Sequence, residues 1–117
     1  MQVKIKCHGI ASSEELNEQV TRRIGFGLRR FGAKVVTVTV RLSDTNGPRG
    51  GQDKQCRILV KIANGSLVAI EELDADVFVA IARAAERAGR AVGRHLSRLP
   101  HDNPRAIRGT SDGSATA

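Results

Sequence analysis

The stretch from Val77 to Leu99 constrains this 117-residue chain more than any other segment. Arg83, Arg87, Arg90, Arg94 and Arg98 recur at spacings of four, three, four and four. At ~100° per residue they share roughly 80° of a helix surface. Phe78, Ile81, Ala82, Ala85, Gly89, Val92, Leu96 and Leu99 cluster about 180° away. A helix of this kind has one apolar stripe that water penalises, so it needs a layer to lie on. Asp74 and Asp76 before it and Arg98 near its end suit the helix dipole, and Pro100 stops it.

Alternating segments supply that layer. Val3, Ile5 and Cys7 share one face of a short strand, with Gln2, Lys4 and Lys6 on the other. In the strand from Val35 to Leu42 the expected inward set is Val36, Val38, Val40 and Leu42. A third strand, Lys54 to Ile62, turns Cys56, Ile58, Val60 and Ile62 inward. Asn64-Gly65, with both residues at φ > 0, predicts a tight hairpin into a fourth strand from Ser66 to about Glu71. A first helix opens with Ser12 as N-cap and Glu15 at the capping-box position. It carries Leu16, Val20, Ile24 and Phe31 at helical spacing and stops at Gly32. Gly25 and Gly27 inside it predict either close packing or a weak middle turn.

The order is therefore β-α-β-β-β-α: an α+β domain, a four-stranded mixed sheet with two helices on one face. The glycine-rich segment Ser43 to Asp53 reads as a loop. Residues 1–99 are expected to form the domain and 100–117 a disordered tail.

Composition narrows the class. With 40% hydrophobic residues the chain is not wholly disordered, and no apolar run reaches the ~18 residues that span a bilayer. The N-terminus lacks the apolar segment of a signal peptide, so a soluble cytoplasmic protein with no membrane partner is expected. Cys7 and Cys56 are too few for a disulfide framework and read as core residues.

Lysine and arginine number 19 against 12 acids, a net charge of +7 that points to a polyanion, above all nucleic acid. A basic pI also serves plain solubility, and position decides between the two. The ridge is all arginine, which binds phosphate bidentately and stacks on bases. Glu86 is the only acid after Asp76 in the helix, so pairing along the helix cannot neutralise five cations. Arg22-Arg23 and Arg29-Arg30 recur two turns apart on the first helix and extend the positive surface. Lys4, Lys6, Arg41, Arg57 and Lys61 form a rival surface on the outer sheet face, read here as solubilising charge. Phe26, Phe31 and Phe78 all lie on helices, so strand-based base stacking is excluded.

Nothing argues for catalysis. Cys7, Cys56, His8, His95 and His101 lack zinc spacing, and Asp44-Thr45-Asn46-Gly47 fails as a calcium loop because Gln55 stands where a bidentate Glu is needed. Gly47, Gly50 and Gly51 lack the Gly-Lys-Ser/Thr ending of a phosphate loop. No enzyme activity, cofactor, metal or small-molecule substrate is expected.

The element order, the Asn64-Gly65 hairpin and the run Asp76-Val77-Phe78-Val79-Ala80-Ile81 followed by basic residues together resemble the ribosome hibernation promoting factor and ribosome-associated inhibitor A family, also called sigma-54 modulation proteins. The resemblance covers roughly Met1 to Leu99 and is closest to a subgroup whose loop reads Leu42-Ser43-Asp44-x-Asn46-Gly47, then Gly50-Gly51-x-Asp53-Lys54-x-Cys56. It implies a fold similar to the double-stranded-RNA-binding domain. It also implies binding to 16S rRNA of the small ribosomal subunit, in the channel of mRNA and tRNA, with translation blocked under stress or in stationary phase. Arg87, Arg90 and Arg94 match basic positions of the family's second helix, and His95 matches a histidine of some members. Arg83 and Arg98 extend the ridge, and Arg22, Arg23, Arg29 and Arg30 lie in the matching first helix. The dimerisation domain of longer relatives is not expected here. A free double-stranded-RNA binder and a regulator docking an acidic protein are the alternatives.

Overall fold

The computed structural model describes residues 1–45 and 53–98. Most of the glycine-rich loop and the expected tail lie outside the described residues. The elements are β1 (Gln2–His8), α1 (Glu14–Leu28), a 3-10 segment (Arg29–Lys34), β2 (Val35–Asp44), β3 (Lys54–Ile62), β4 (Leu67–Asp74) and α2 (Val77–Arg98). They form one four-stranded sheet in the order β1-β2-β3-β4. β1 runs parallel to β2, which the intervening helix allows, and the other two pairings are antiparallel.

The core lies between the sheet and the two helices. α1 contributes Leu16, Val20, Ile24 and Leu28, and β3 contributes Cys56, Ile58, Val60 and Ile62. α2 contributes Ala80, Ile81, Ala84, Ala85, Ala88 and Val92, mostly small side chains that let its backbone lie close to its neighbours. Phe78, expected on the apolar stripe, is 38% exposed at the start of α2. Asp76 caps this helix: its carboxylate accepts from Phe78 N–H at 2.8 Å.

Four local expectations change. The N-cap of α1 is Ser13, not Ser12; its hydroxyl accepts from Leu16 N–H at 3.1 Å. Shifting the cap by one residue puts Leu16 at N3, so Glu15 forms no capping box, while Glu14 and Glu15 still face the positive helix end. α1 ends at Leu28 rather than Phe31, because the chain tightens into the 3-10 segment before Gly32 (φ 55) turns it. Val35, not Val36, is buried: the register slips between Val35↔Ile62 and Thr37↔Lys61. That extra residue rotates Val36 to the surface, where it is 43% exposed.

The hairpin is the fourth change. Ile62 N–H donates to Ser66 O at 2.9 Å and Gly65 N–H to Ile62 O at 2.8 Å. The loop is thus three residues, Ala63-Asn64-Gly65, with Gly65 at φ 94 closing it. A non-glycine residue would be strained at that φ.

Candidate nucleic-acid interface

α1 and α2 cross backbone to backbone. A Cβ built on Gly89 would stand 2.4 Å from Gly27 O, and one on Gly27 would stand 2.7 Å from Ala85 O. Neither fits, so glycine at both positions permits this approach. Gly27 thus serves contact with the other helix, whereas Gly25 has nothing within 4 Å of its missing Cβ.

At the crossing the two helices line an open groove of about 490 Å³. Arg23, Phe26 and Arg30 form one wall, Arg83, Glu86 and Arg90 the other, and Gly27, Ala85 and Gly89 line the space between. Four expected site residues, Arg23 of α1, Arg30 of the 3-10 segment and Arg83 and Arg90 of α2, therefore meet around one cavity.

Arg22, Arg29, Arg94 and His95 do not line it. Arg22 sits with Glu14, Asn17, Glu18 and Thr21 on another surface. Arg29 begins the 3-10 segment and is exposed. Arg94 is exposed on α2 and makes no ion pair among the described residues. His95 is half-buried, its Nε2 without a hydrogen-bond partner among the described residues. Arg98 is the last residue of α2.

The ridge is not bare. Acids of the neighbouring strand reach it: Arg83 pairs with Asp74 at 3.1 Å, and Arg87 pairs with Glu72 and donates to Glu71 O at 3.0 Å. Arg90 lies 3.7 Å from Glu86. The expectation that the ridge cannot be neutralised counted only helical acids and overlooked β4. Magnitudes decide what this means. These guanidinium side chains are 46–58% exposed, and exposed pairs are worth about 0–1 kcal/mol. A charge-assisted hydrogen bond contributes about 1.5–3 kcal/mol. The pairs hold the arginines in place and can yield to a phosphate. Arg87, tied to both a carboxylate and a backbone carbonyl of β4, is the one most occupied with holding α2 to the sheet.

Phe26 is the groove residue that charge-based reading leaves out. It is 64% exposed, although large and apolar. Its position off the Leu16, Val20, Ile24, Leu28 stripe was the available signal: an aromatic ring on the polar side of a helix.

Elsewhere, Cys56 is fully buried, and burial, with a smaller effect of Glu72, pushes its thiol up to about 12. It is a packing residue, not a nucleophile. Lys54 bridges Asp44 and Asp53, each at 3.2 Å, and these contacts raise its pKa. Among the described residues no group of three or more His, Cys, Asp or Glu could hold a metal. No helix among them is long and apolar enough to cross a membrane.

The family described as "Sigma 54 modulation protein / S30EA ribosomal protein" matches residues 3–100, which takes in all of the sheet but the first residue of β1, and both helices. The chain belongs to this family. The Thermus thermophilus Protein Y N-terminal domain is 25% identical, with a TM-score of 0.67 over 81% of this chain and 99% of that one. A ribosomal subunit interface protein from Coxiella burnetii shares the fold at 12% identity, with a TM-score of 0.69 over 83% of this chain and 99% of that one. No curated protein matches the chain. As a family member the chain shares the β-α-β-β-β-α sheet-and-helix architecture found in these structures.

Proposed function

We propose that this protein binds 16S rRNA of the small ribosomal subunit in the mRNA and tRNA channel and inhibits translation under stress or in stationary phase. The observation that carries this reading is the groove between α1 and α2, where Arg23, Arg30, Arg83 and Arg90 converge. Membership of a family described as an S30EA ribosomal protein supplies the ribosome as the source of phosphate. The mechanism is steric. Arginine–phosphate contacts hold the domain, residues 1–99, and its bulk excludes the other ligands of the channel, so no bond is made or broken. Affinity therefore falls steeply with salt.

The test is co-sedimentation with 30S particles. Arg23, Arg30 and Arg94 make no ion pair among the described residues, so reversing them leaves the β4 contacts of α2 intact. The variant R23E/R30E/R94E is expected to leave the 30S fraction while keeping its circular dichroism spectrum and Tm. Undiminished sedimentation would overturn the proposal. A gel shift on naked duplex RNA, competed with 30S particles or with an equal mass of unlabelled duplex RNA, separates it from free duplex binding: a ribosomal factor is released by about one equivalent of 30S and far less by the duplex, whereas a free duplex binder is released equally by both.

A further inference from the structure

Charge alone suits any phosphate backbone, duplex or single-stranded. The groove holds something a duplex cannot use. Phe26 stands on the α1 wall, 64% exposed, between Arg23 and Arg30 in sequence and facing the cavity they line. The other two rings of the chain are differently placed. Phe31 is half-buried, has the Arg30 guanidinium 4.6 Å from its centroid, and lies against Gly93. Phe78 is 38% exposed at the start of α2 and does not line the groove. Among the described residues Phe26 is thus the ring that combines an open face with flanking cations.

We propose that Phe26 is a stacking platform for one unpaired base of a single-stranded RNA segment, its flanking phosphates held by Arg23 and Arg30. The inference rests on the RNA-binding reading above and specifies which form of RNA this face selects. A cavity of about 490 Å³ lies within the ~300–1,000 Å³ of small-ligand sites, so a nucleotide fits. Gly27 and Gly89 line the groove beside the ring, and the close helix approach that they permit brings both walls to it. Glu86 orients the nucleotide. Its carboxylate lies on the α2 wall beside Arg90 and accepts from a base amino group. A base inside a duplex has both faces covered by its neighbours and offers nothing to Phe26.

The chain contains no Trp and no Tyr, so Phe26→Trp installs a single reporter at the site itself. The full-length F26W protein is titrated with a ten-nucleotide single-stranded RNA, with a blunt duplex of the same sequence, and with inorganic polyphosphate. The expected result is at least twofold quenching of tryptophan emission by the single strand and little change with the duplex or with polyphosphate. In parallel, Phe26→Ala is expected to weaken single-strand binding about tenfold, while duplex binding stays within twofold. Equal quenching by duplex and single strand overturns the proposal, as does unchanged single-strand affinity in F26A. If R23E/R30E/R94E loses 30S binding while F26A retains single-strand affinity, stacking fails and the ribosomal reading stands. If R23E/R30E/R94E keeps 30S binding, the ribosomal reading itself has failed.

Discussion

On the helical side, Arg83, Arg87 and Arg90 each have a carboxylate within reach, whereas on the open side of the sheet Lys6, Arg41 and Arg57 stand abreast across three strands. The register carries that row to Glu71 on β4, yet no ion pair forms in it among the described residues. Counting free cations does not choose between the faces, because Arg23, Arg30 and Arg94 on the helical side also make no ion pair among the described residues. Shape and chemistry favour the helices. Like charges directly opposite in a ladder repel one another, and their use on a pleated surface is to keep it wetted and to deter further strands. Arg23, Arg30, Arg83 and Arg90 instead converge from both sides on a groove that also holds an exposed ring. Whether a charge has a partner is therefore a poor marker of a site, and the convergence of charges from separate elements on one groove is a better one.

The comparison breaks most visibly by exchange. The variant K6Q/R41Q/R57Q is expected to co-sediment with 30S particles within twofold of wild type, against the loss of more than a hundredfold expected for R23E/R30E/R94E, at about 1.4 kcal/mol per factor of ten. If the sheet variant alone loses binding, the two faces have exchanged roles.

A second experiment sharpens the part that glycine plays on the helical side. Gly89→Ala puts a methyl 2.4 Å from Gly27 O and is expected to destabilise the fold by about 2–3 kcal/mol in urea titration. Gly25→Ala meets nothing within 4 Å and is expected to stabilise by about 0.5–1 kcal/mol. Equal effects would mean that the helices do not cross at Gly27.

Salt dependence offers a finer distinction. Arg94→Gln is expected to reduce the slope of log affinity against log salt by about one, and Lys4→Gln to leave it unchanged.

The last effect concerns the interior that both faces share and leaves binding untouched. The Cys56 thiol, raised from an ordinary 9.0 to about 12, stays protonated in the folded chain while the unfolded chain ionises. The folded state then holds more protons, so stability is fully present below about pH 9 and falls as pH rises from there toward 12. Lys54, also raised, acts in the same direction above 10.5. Thermal melts between pH 7 and 10.5 should show a decline starting near 9 that Cys56→Ala removes.

The architecture was legible in the sequence because each element carries its own period and its own punctuation. Strand alternation, the apolar stripe of α2 and the acidic lead into it gave the order of all six main elements. What was not legible depends on neighbours distant in the chain. The slip at Val36 is a property of pairing with β3. The third hairpin residue, Ala63, is set by where Ile62 and Ser66 pair. The partners of Arg83 and Arg87 come from β4. Periodicity described the arginine ridge as a property of one helix, while the groove belongs to two. Arg23 and Arg30 join it, and Arg22, adjacent in sequence, does not, because neighbouring residues on a helix point about 100° apart.

The contact of Gly27 with Gly89 also fixes a length. Where helices meet through side chains, their spacing can be adjusted by exchanging one apolar residue for another. Here the separation is set by peptide atoms, which every residue carries and none can shrink. The span between the two sets of arginines is therefore already at its minimum. Mutation at the crossing can move it in one direction only, toward a wider groove and a looser grip on whatever lies in it.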